Sequence, residues 1–158
     1  MEMRRKDLAV TQPEAMDQII CACDCIRIAL TDGDYPYIIP MNFGYQRVDG
    51  QAVFYLHSAE EGHKVSLFRK EQRCGFELDT HRQLKIGATA CAFSMAYESI
   101  AGNGDLVELT DSAEKTAALR VIMSTYSDQS DWDFPEETLK KTCVFRLNVQ
   151  AMSGRKHD

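Results

Sequence analysis

Tight turns between short alternating segments are the feature that most constrains this fold. Thr31-Asp32-Gly33-Asp34 and Asp49-Gly50 carry the residues that two-residue hairpin turns need, because Gly and Asp tolerate a positive φ. Apolar and polar residues alternate from Asp24 to Leu30 with the period of a β-strand. Ala52 to His57 is a further predicted strand, with Val53, Tyr55 and His57 on one face and Phe54 and Leu56 on the other. Since such hairpins join antiparallel neighbours, the pattern predicts a mainly antiparallel β protein.

The segment between the two turns, Tyr35 to Val48, predicts a strand with an unusual position. It contains Pro36 and Pro40, and proline has no N–H to donate to a neighbouring strand. We therefore expect this strand to lie at a sheet edge or to be broken at the prolines. Four apolar residues alternate along it, namely Tyr37, Ile39, Met41 and Phe43. We expect one chain to leave part of this row uncovered, which predicts a homodimer.

Helix signals are fewer than strand signals. Capping-box spacings begin at Thr11 and at Ser58, and Asp111 or Ser112 can cap the longest helix. The predicted helices run from Pro13 to Cys21, from after Ser58 to about Lys70, from Asp111 or Ser112 to Tyr126, and from Pro135 to about Lys141. The further predicted strands are Arg73 to Leu78, Lys85 to Tyr97, Glu98 to Leu109 and Thr142 to Ala151. This order favours an α+β fold, in which helices flank a small antiparallel β-barrel.

Length and charge narrow the class of protein. A chain of 158 residues is the size of one domain, which we assign to residues 1–158. Its net charge of −6 repels phosphate backbones and anionic lipids, so we expect neither nucleic acid nor a membrane as partner. No apolar run approaches the ~20 residues of a membrane helix. The charged start, Met1 to Asp7, leads into no apolar stretch, and we therefore expect a cytoplasmic protein.

The cysteines and histidines do not form a metal-binding pattern. Cys21, Cys23 and Cys25 are separated by single residues, whereas structural zinc sites use gaps of two to four. His57 and His63 are six residues apart on different predicted elements, and no ligand of suitable spacing accompanies them. We predict no metal site and free thiols.

One stretch has the composition of a phosphate site. Ser58 stands where a strand is predicted to end and a helix to begin, and the first amides of a helix attract anions. Lys64 follows within two turns, and His57 lies at the same end of the strand. The same residues also suit a purely structural role, in which Ser58 caps the helix with Glu61 and Lys64 is solvated. Both interpretations remain open at this point.

Several motifs together resemble the FMN-binding split-barrel superfamily related to pyridoxamine-phosphate oxidase, and within it the nitroimidazole-resistance branch. The resemblance covers nearly the whole chain. It rests on Met3-Arg4-Arg5-Lys6, Pro36-Tyr37, Pro40-Met-Asn42-Phe-Gly44-Tyr45, Tyr55-Leu-His57-Ser58-Ala59-x-x-Gly62-His63-Lys64, Tyr97-Glu98-Ser99 and Ser153-Gly154-Arg155-Lys156. It implies a split β-barrel of antiparallel strands with flanking helices. It also implies a homodimer with FMN at the subunit interface, with FAD as the alternative cofactor.

Site residues follow from the same resemblance, matched position by position. The family has a strand beside the flavin ring, and the matching residues here are Asn42, Phe43, Gly44 and Tyr45. The residues that match its phosphate and ribityl contacts are His57, Ser58 and Lys64. The residues that match the neighbouring strand, which closes the site, are Tyr97, Glu98 and Ser99. His63 is the candidate catalytic proton donor. Arg69, Arg82 and Arg155 are candidates for a second basic residue at the phosphate.

The resemblance implies an oxidoreductase that reduces a small aromatic or nitroaromatic compound. A flavin carrier or sensor with little turnover is the alternative. A haem protein is a third interpretation, and it would need an axial histidine in an apolar pocket.

Overall fold

One antiparallel sheet organises the chain. The computed structural model describes residues 5–158, so Met3 and Arg4 of the first motif lie outside the described residues. The strands are β1 (Ala9–Val10), β2 (Ile26–Asp32), β3 (Tyr35–Met41), β4 (Gly44–Val48), β5 (Gln51–Ala59), β6 (Arg73–Lys85), β7 (Ser94–Leu109) and β8 (Thr142–His157). The helices are α1 (Pro13–Cys21), α2 (His63–Glu71), α3 (Ser112–Tyr126) and α4 (Glu136–Lys140). This is the predicted fold class: antiparallel strands with flanking helices.

The sheet stays open between two strands that are consecutive in the chain. Its order is β3-β2-β6-β7-β8-β5-β4, and β1 pairs separately with β8. Thus β3 and β4 form the two edges, joined only by Asn42 and Phe43. The edge position predicted from Pro36 and Pro40 is confirmed, because the missing donors face no further strand.

Two apolar layers cover the two faces of the sheet. The larger core lies inside the curved sheet and contains Phe54, Leu56, Phe76, Phe145 and Leu147. The smaller layer lies between the outer face and the helices α3 and α4, and its members are Val53, Tyr55, Leu109, Ala118, Leu119, Ile122, Leu139 and Val144. Alternate residues of β5 and β8 therefore serve different cores, which explains why β5 is buried on both faces.

The predicted helix start at Ser58 is wrong. Strand β5 continues to Ala59, and Ser58 pairs with Cys143 of β8. Helix α2 begins at His63, after Gly62 at φ 132°, and no side chain caps it. Pairing with β8 supplies the backbone hydrogen bonds at Ser58, so this residue continues the strand and does not cap a helix. The local sequence does not reveal this long-range pairing.

The other boundaries differ mainly in length. Helices α1 and α3 match their predictions, and Asp111 caps α3 by accepting the N–H groups of Ala113 and Glu114. Strands β6 and β8 are longer than predicted, because pairing along the whole hairpin sustains them. The predicted strand from Lys85 to Tyr97 is wrong in its first part, because β6 ends at Lys85 and residues 86–93 form the connection to β7. Strand β7 then runs from Ser94 to Leu109 without a break at Glu98. The register shifts between Asn103 and Gly104, which ends the alternation of β8 before Ala151.

The reason given for a homodimer needs correction. Met41 and Phe43 are buried within one chain, and Tyr37 and Ile39 pack against its core. The exposed apolar residues lie elsewhere: Tyr35 and Ile38 on β3, and Leu84, Ile86, Phe93 and Met95 around the β6–β7 hairpin. Among the described helices, none has the length and apolar character needed to cross a membrane.

Candidate functional site

Four of the predicted site residues line one cavity at the open end of the sheet. The Ser58 cavity, as we name it, has a volume of about 280 Å³. Its lining residues are Pro40, Met41, Asn42, His57, Ser58, Ala59 and Lys64. They come from the end of β3, the linker to β4, the end of β5 and the first turn of α2. Segments that are distant in sequence thus meet where β3 and β5 end.

The Ser58 hydroxyl is the most informative atom of this cavity. Ser58 is 6% exposed and is the only polar residue among the buried ones that the structure describes. Its Oγ is buried and has no hydrogen-bond partner in residues 5–158. Leaving a buried hydroxyl unpaired costs about 1–3 kcal/mol, so such a group usually has a partner. A ligand acceptor in the cavity would supply one.

The electrostatics of the cavity favour an anion. Lys64 lies at the second position of α2, where the helix dipole is also positive. His57 is exposed as a whole residue, yet burial of its imidazole lowers its pKa, and the charge of Lys64 lowers it further. His57 therefore favours its neutral form, which can still donate one hydrogen bond. A hydroxyl, an ammonium and an imidazole together are suited to a phosphate.

The Asn42 to Tyr45 segment is divided between cavity and core. Only Asn42 lines the Ser58 cavity. The Phe43 ring is 1% exposed and contacts Phe54, while the Tyr45 hydroxyl donates to Asp17 at 2.5 Å. These two side chains hold β4 against the core, so any contact they make with a ligand involves backbone or edge atoms.

Gly44 has a packing role that is independent of a ligand. A Cβ at this position would lie 2.6 Å from the backbone nitrogen of Ile122 and the carbonyl carbon of Val121. Helix α3 can approach β4 this closely only because Gly44 has no side chain.

His63 lies beside the Ser58 cavity but does not line it. It is the first residue of α2, and Asp32 of the β2–β3 hairpin accepts a hydrogen bond from its Nε2 at 2.7 Å. The Tyr37 ring meets the imidazole edge-on, with centroids 5.2 Å apart. The ring is therefore held in one orientation, with Nε2 engaged by a carboxylate.

Tyr97, Glu98 and Ser99 lie on a different part of the sheet. Glu98 accepts hydrogen bonds from Lys156 at 2.7 Å and His81 at 2.9 Å, which lower its pKa. Glu98, Lys156 and His81 border a second cavity of about 310 Å³, between α1 and the strands β6 to β8, which Tyr97 and Ser99 do not line. Within one chain the Tyr97–Ser99 segment and the Ser58 cavity do not form a single site.

None of the three candidate arginines lines the Ser58 cavity. Arg69 makes two hydrogen bonds to Glu108, and Arg82 pairs with Asp79. The Arg155 guanidinium lies 5.9 Å from the centre of the Tyr97 ring. The second basic residue at the proposed phosphate stays unassigned.

Tyr126 is a supporting residue that the sequence interpretation missed. Its hydroxyl accepts the Phe43 N–H at 3.0 Å and donates to the Asp24 carbonyl at 3.0 Å. It thereby fixes the linker that carries Asn42. The sequence showed Tyr126 only as the last member of the apolar stripe of α3, and nothing local indicated its hydroxyl contacts.

The remaining cavities and thiols do not add to this site. A larger cavity, about 430 Å³, is lined by residues of β2, β3, β6, β7 and β8, and no predicted site residue lines it. Within residues 5–158, no group of three or more His, Cys, Asp or Glu is arranged to hold a metal ion. All six cysteines are free thiols; Cys21 and Cys91 are exposed, and the other four are buried or half-buried.

Comparison with known proteins gives one family and several related folds. Residues 12–156 match the family model described as pyridoxamine 5'-phosphate oxidase. A candidate 5-nitroimidazole antibiotic resistance protein from Bacteroides thetaiotaomicron is 26% identical, with a TM-score of 0.81 over 93% of this chain and 85% of that chain. No curated protein matches the chain.

Two more distant structures share the fold. The flavocytochrome Anf3 from Azotobacter vinelandii is 19% identical, with a TM-score of 0.83 over 99% of this chain and 72% of that one. A FAD and heme binding protein from Mycobacterium smegmatis is 14% identical, with a TM-score of 0.79 over 95% and 73%.

Proposed function

Because the chain belongs to the pyridoxamine 5'-phosphate oxidase family, we propose that it is an FMN-dependent oxidoreductase whose cofactor phosphate binds in the Ser58 cavity. The observation that carries this proposal is the buried Ser58 hydroxyl, which has no partner in residues 5–158 and lies beside Lys64 and His57. A flavocytochrome and a FAD and heme binding protein with the same fold support a flavin. We propose FMN over FAD because the cavity brings together groups suited to a terminal phosphate.

Each residue of the cavity makes a different contact in the proposed complex with FMN. Lys64 supplies the charge-assisted contact, which is worth about 1.5–3 kcal/mol. Ser58 donates a hydrogen bond from the floor of the cavity, and the first amides of α2 add the helix dipole. Asn42, on the β3–β4 linker, faces the same cavity and is suited to a ribityl hydroxyl.

The Ser58 cavity has room for only part of a flavin. Its volume of about 280 Å³ is below the ~300–1,000 Å³ of ordinary ligand pockets. The phosphate and ribityl chain would occupy it, and the flavin ring would extend beyond it. We propose a homodimer in which the second copy covers the ring and contributes its Tyr97–Ser99 strand. The exposed Ile38, Ile86 and Phe93 give such a dimer apolar contact area.

The proposed chemistry is reduction of a small nitroaromatic compound. FMN supplies the electron transfer, whereas the protein binds and orients the reactants. The relative from Bacteroides thetaiotaomicron, described in terms of 5-nitroimidazole resistance, supports this substrate class. His63 is the proposed proton donor, because it adjoins the cavity and Asp32 fixes its ring.

The first experiment identifies the chromophore and its phosphate contact. The purified protein should be yellow and release FMN, identified by mass, on denaturation. Lys64→Ala should weaken FMN binding at least tenfold and leave riboflavin binding nearly unchanged, because riboflavin has no phosphate. Lys70→Ala is the matched control, since Lys70 is exposed and pairs with Glu71 on the same helix.

Four results would overturn parts of this proposal. A Soret band in place of a flavin spectrum would indicate haem. An equal loss of FMN and riboflavin affinity in Lys64→Ala would mean that Lys64 acts structurally. Bound flavin that a reduced nicotinamide and a nitroaromatic leave unchanged would favour the carrier or sensor. Light scattering that reports a monomer at micromolar concentration would exclude the dimer.

A further inference from the structure

An arginine lies within the apolar layer beneath α3. Arg146 is on the outer face of β8, two residues after Val144, which belongs to that layer. Tyr55 of β5 is its direct neighbour in the sheet. Both residues border a cavity of about 200 Å³ between the sheet and α3, which we name the Arg146 cavity. No residue of the proposed flavin site lines it.

The Arg146 guanidinium has no partner in the part of the chain that the structure describes. Its Nε is buried and makes no hydrogen bond. Glu114 borders the same cavity, yet the two form no ion pair. Arg47 binds Asp17 and Arg69 binds Glu108, each through two nitrogens, whereas the Nε of Arg155, like that of Arg146, is buried without a partner in residues 5–158. Arg146 as a whole residue is half-buried, but a buried N–H without an acceptor is costly, so its Nε calls for an explanation.

A second donor faces the same space. The Tyr55 hydroxyl accepts a hydrogen bond from Gln46 Nε2 at 2.9 Å, and its own hydrogen has no acceptor within residues 5–158. Tyr55 is 8% exposed, so little of its side chain meets bulk water. Gln46 and Tyr55 both line the cavity, while Leu109, Ala118 and Val121 make the rest of its wall mostly apolar.

We propose that the Arg146 cavity binds a small monocarboxylate. The planar guanidinium matches a carboxylate in shape and charge, and the Tyr55 hydroxyl supplies a further hydrogen bond. Liquid water occupies about 30 Å³ per molecule, so the cavity has room for an acid of a few carbon atoms. The apolar wall suits a short alkyl chain. Glu114 at the mouth adds negative charge, which disfavours a dianion such as phosphate.

The competing explanation is internal. Glu114 is exposed on the first turn of α3, and a change of its side-chain rotamer could pair it with Arg146. In that case the cavity would hold only water and no ligand. The two explanations predict different effects of Glu114→Gln. If the cavity binds a carboxylate, the change should tighten that binding. If Glu114 pairs with Arg146, the change should destabilise the fold.

The test is an NMR titration of the purified full chain with sodium propionate, balanced with sodium chloride at constant ionic strength. We expect saturable shifts of the Arg146 Nε–H signal and of the amides of Ala117 and Ala118. Arg146→Gln should abolish saturation. Arg120→Gln is the matched control, because Arg120 binds the Trp132 carbonyl outside the cavity, and it should leave the affinity unchanged.

Tyr55→Phe keeps the shape of the wall and should weaken propionate binding about tenfold, as expected for one lost hydrogen bond to a charged group. This variant keeps the proposal falsifiable if Arg146→Gln does not fold. Linear shifts without saturation, equal saturation in Arg146→Gln, or tighter binding of inorganic phosphate than of propionate would each overturn the proposal. Lys64→Ala should leave the titration unchanged, so its outcome is independent of the flavin site.

Discussion

Removing the Ser58 hydroxyl should stabilise the protein without its cofactor and weaken the complex with FMN. In Ser58→Ala the buried oxygen that has no partner in the described structure is lost, while the β5–β8 pairing at this residue is kept. An unpaired buried hydroxyl costs about 1–3 kcal/mol, part of which water in the cavity recovers. We expect the free energy of unfolding of the apoprotein to stay constant or rise by up to about 1 kcal/mol.

The FMN complex should respond in the opposite direction. If Ser58 donates to the phosphate, the lost hydrogen bond to a charged group is worth about 1.5–3 kcal/mol, which corresponds to a tenfold to hundredfold loss of affinity. Because ligand binding stabilises only the folded state, FMN should then raise the melting temperature less than in the wild type. Riboflavin affinity should change little.

The assay combines urea unfolding of the apoprotein with titration of FMN and riboflavin by flavin fluorescence. Ser66→Ala is the matched control, because Ser66 is an exposed serine on α2 whose hydroxyl contacts only the Gly62 carbonyl in the described structure. It should leave FMN affinity unchanged.

One result would refute this reasoning. The capping role predicted from the sequence requires that Ser58→Ala destabilise the apoprotein by about 1 kcal/mol. At this chain length that is a fall of about 2–4 °C in melting temperature. Such a fall, together with unchanged FMN affinity, would mean that the hydroxyl serves the fold and not the cofactor.

Three further predictions concern the elements that support the site. Gly44→Ala should destabilise the protein by about 1–3 kcal/mol in urea unfolding, because the new Cβ would meet the backbone of α3; an unchanged midpoint would contradict this packing. Tyr126→Phe should cost about 1 kcal/mol and increase amide hydrogen exchange at Phe43, which loses its acceptor; unchanged exchange at that amide would speak against the contact. The pKa of Glu98 is lowered, because Lys156 and then His81 donate hydrogen bonds to its carboxylate. The stabilisation that the ionised Glu98 gives the fold is therefore present above pH 4.5, its ordinary pKa, and is lost as the pH falls below that value. The stability difference between wild type and Glu98→Gln, about 1 kcal/mol near neutral pH, should therefore shrink on acidification; a difference that grows in acid would reverse the assignment.

Local signals in the sequence were sufficient for most elements. The turn at Gly33 and the Asp49-Gly50 turn fix two hairpins, and the prolines of β3 exclude it from the middle of the sheet. The cap at Asp111 and the apolar stripe of α3 set that helix almost to the residue. In each case the controlling interaction lies within a few residues of the signal.

The site was predictable in part, for a similar reason. Asn42, His57, Ser58 and Lys64 line one cavity, and their contacts with a flavin stay predictions. Phe43 and Tyr45 also belong to the quoted motif, but their side chains pack in or against the core. A motif records which residues occur together, and it does not separate those that contact a ligand from those that hold the strand in place.

The sequence by itself determined the hairpins, the edge strand, the main helices and the stretch that carries the candidate site. Only the tertiary structure decided that Ser58 is a strand residue with a buried free hydroxyl, because its pairing partner, Cys143, is 85 positions later in the chain. The tertiary structure also decided that the Arg146 Nε has no hydrogen-bond partner in residues 5–158, because this depends on how α3 packs over β5 and β8. Turns and caps depend on neighbouring residues, whereas burial and hydrogen-bond satisfaction depend on groups that only the folded chain brings together.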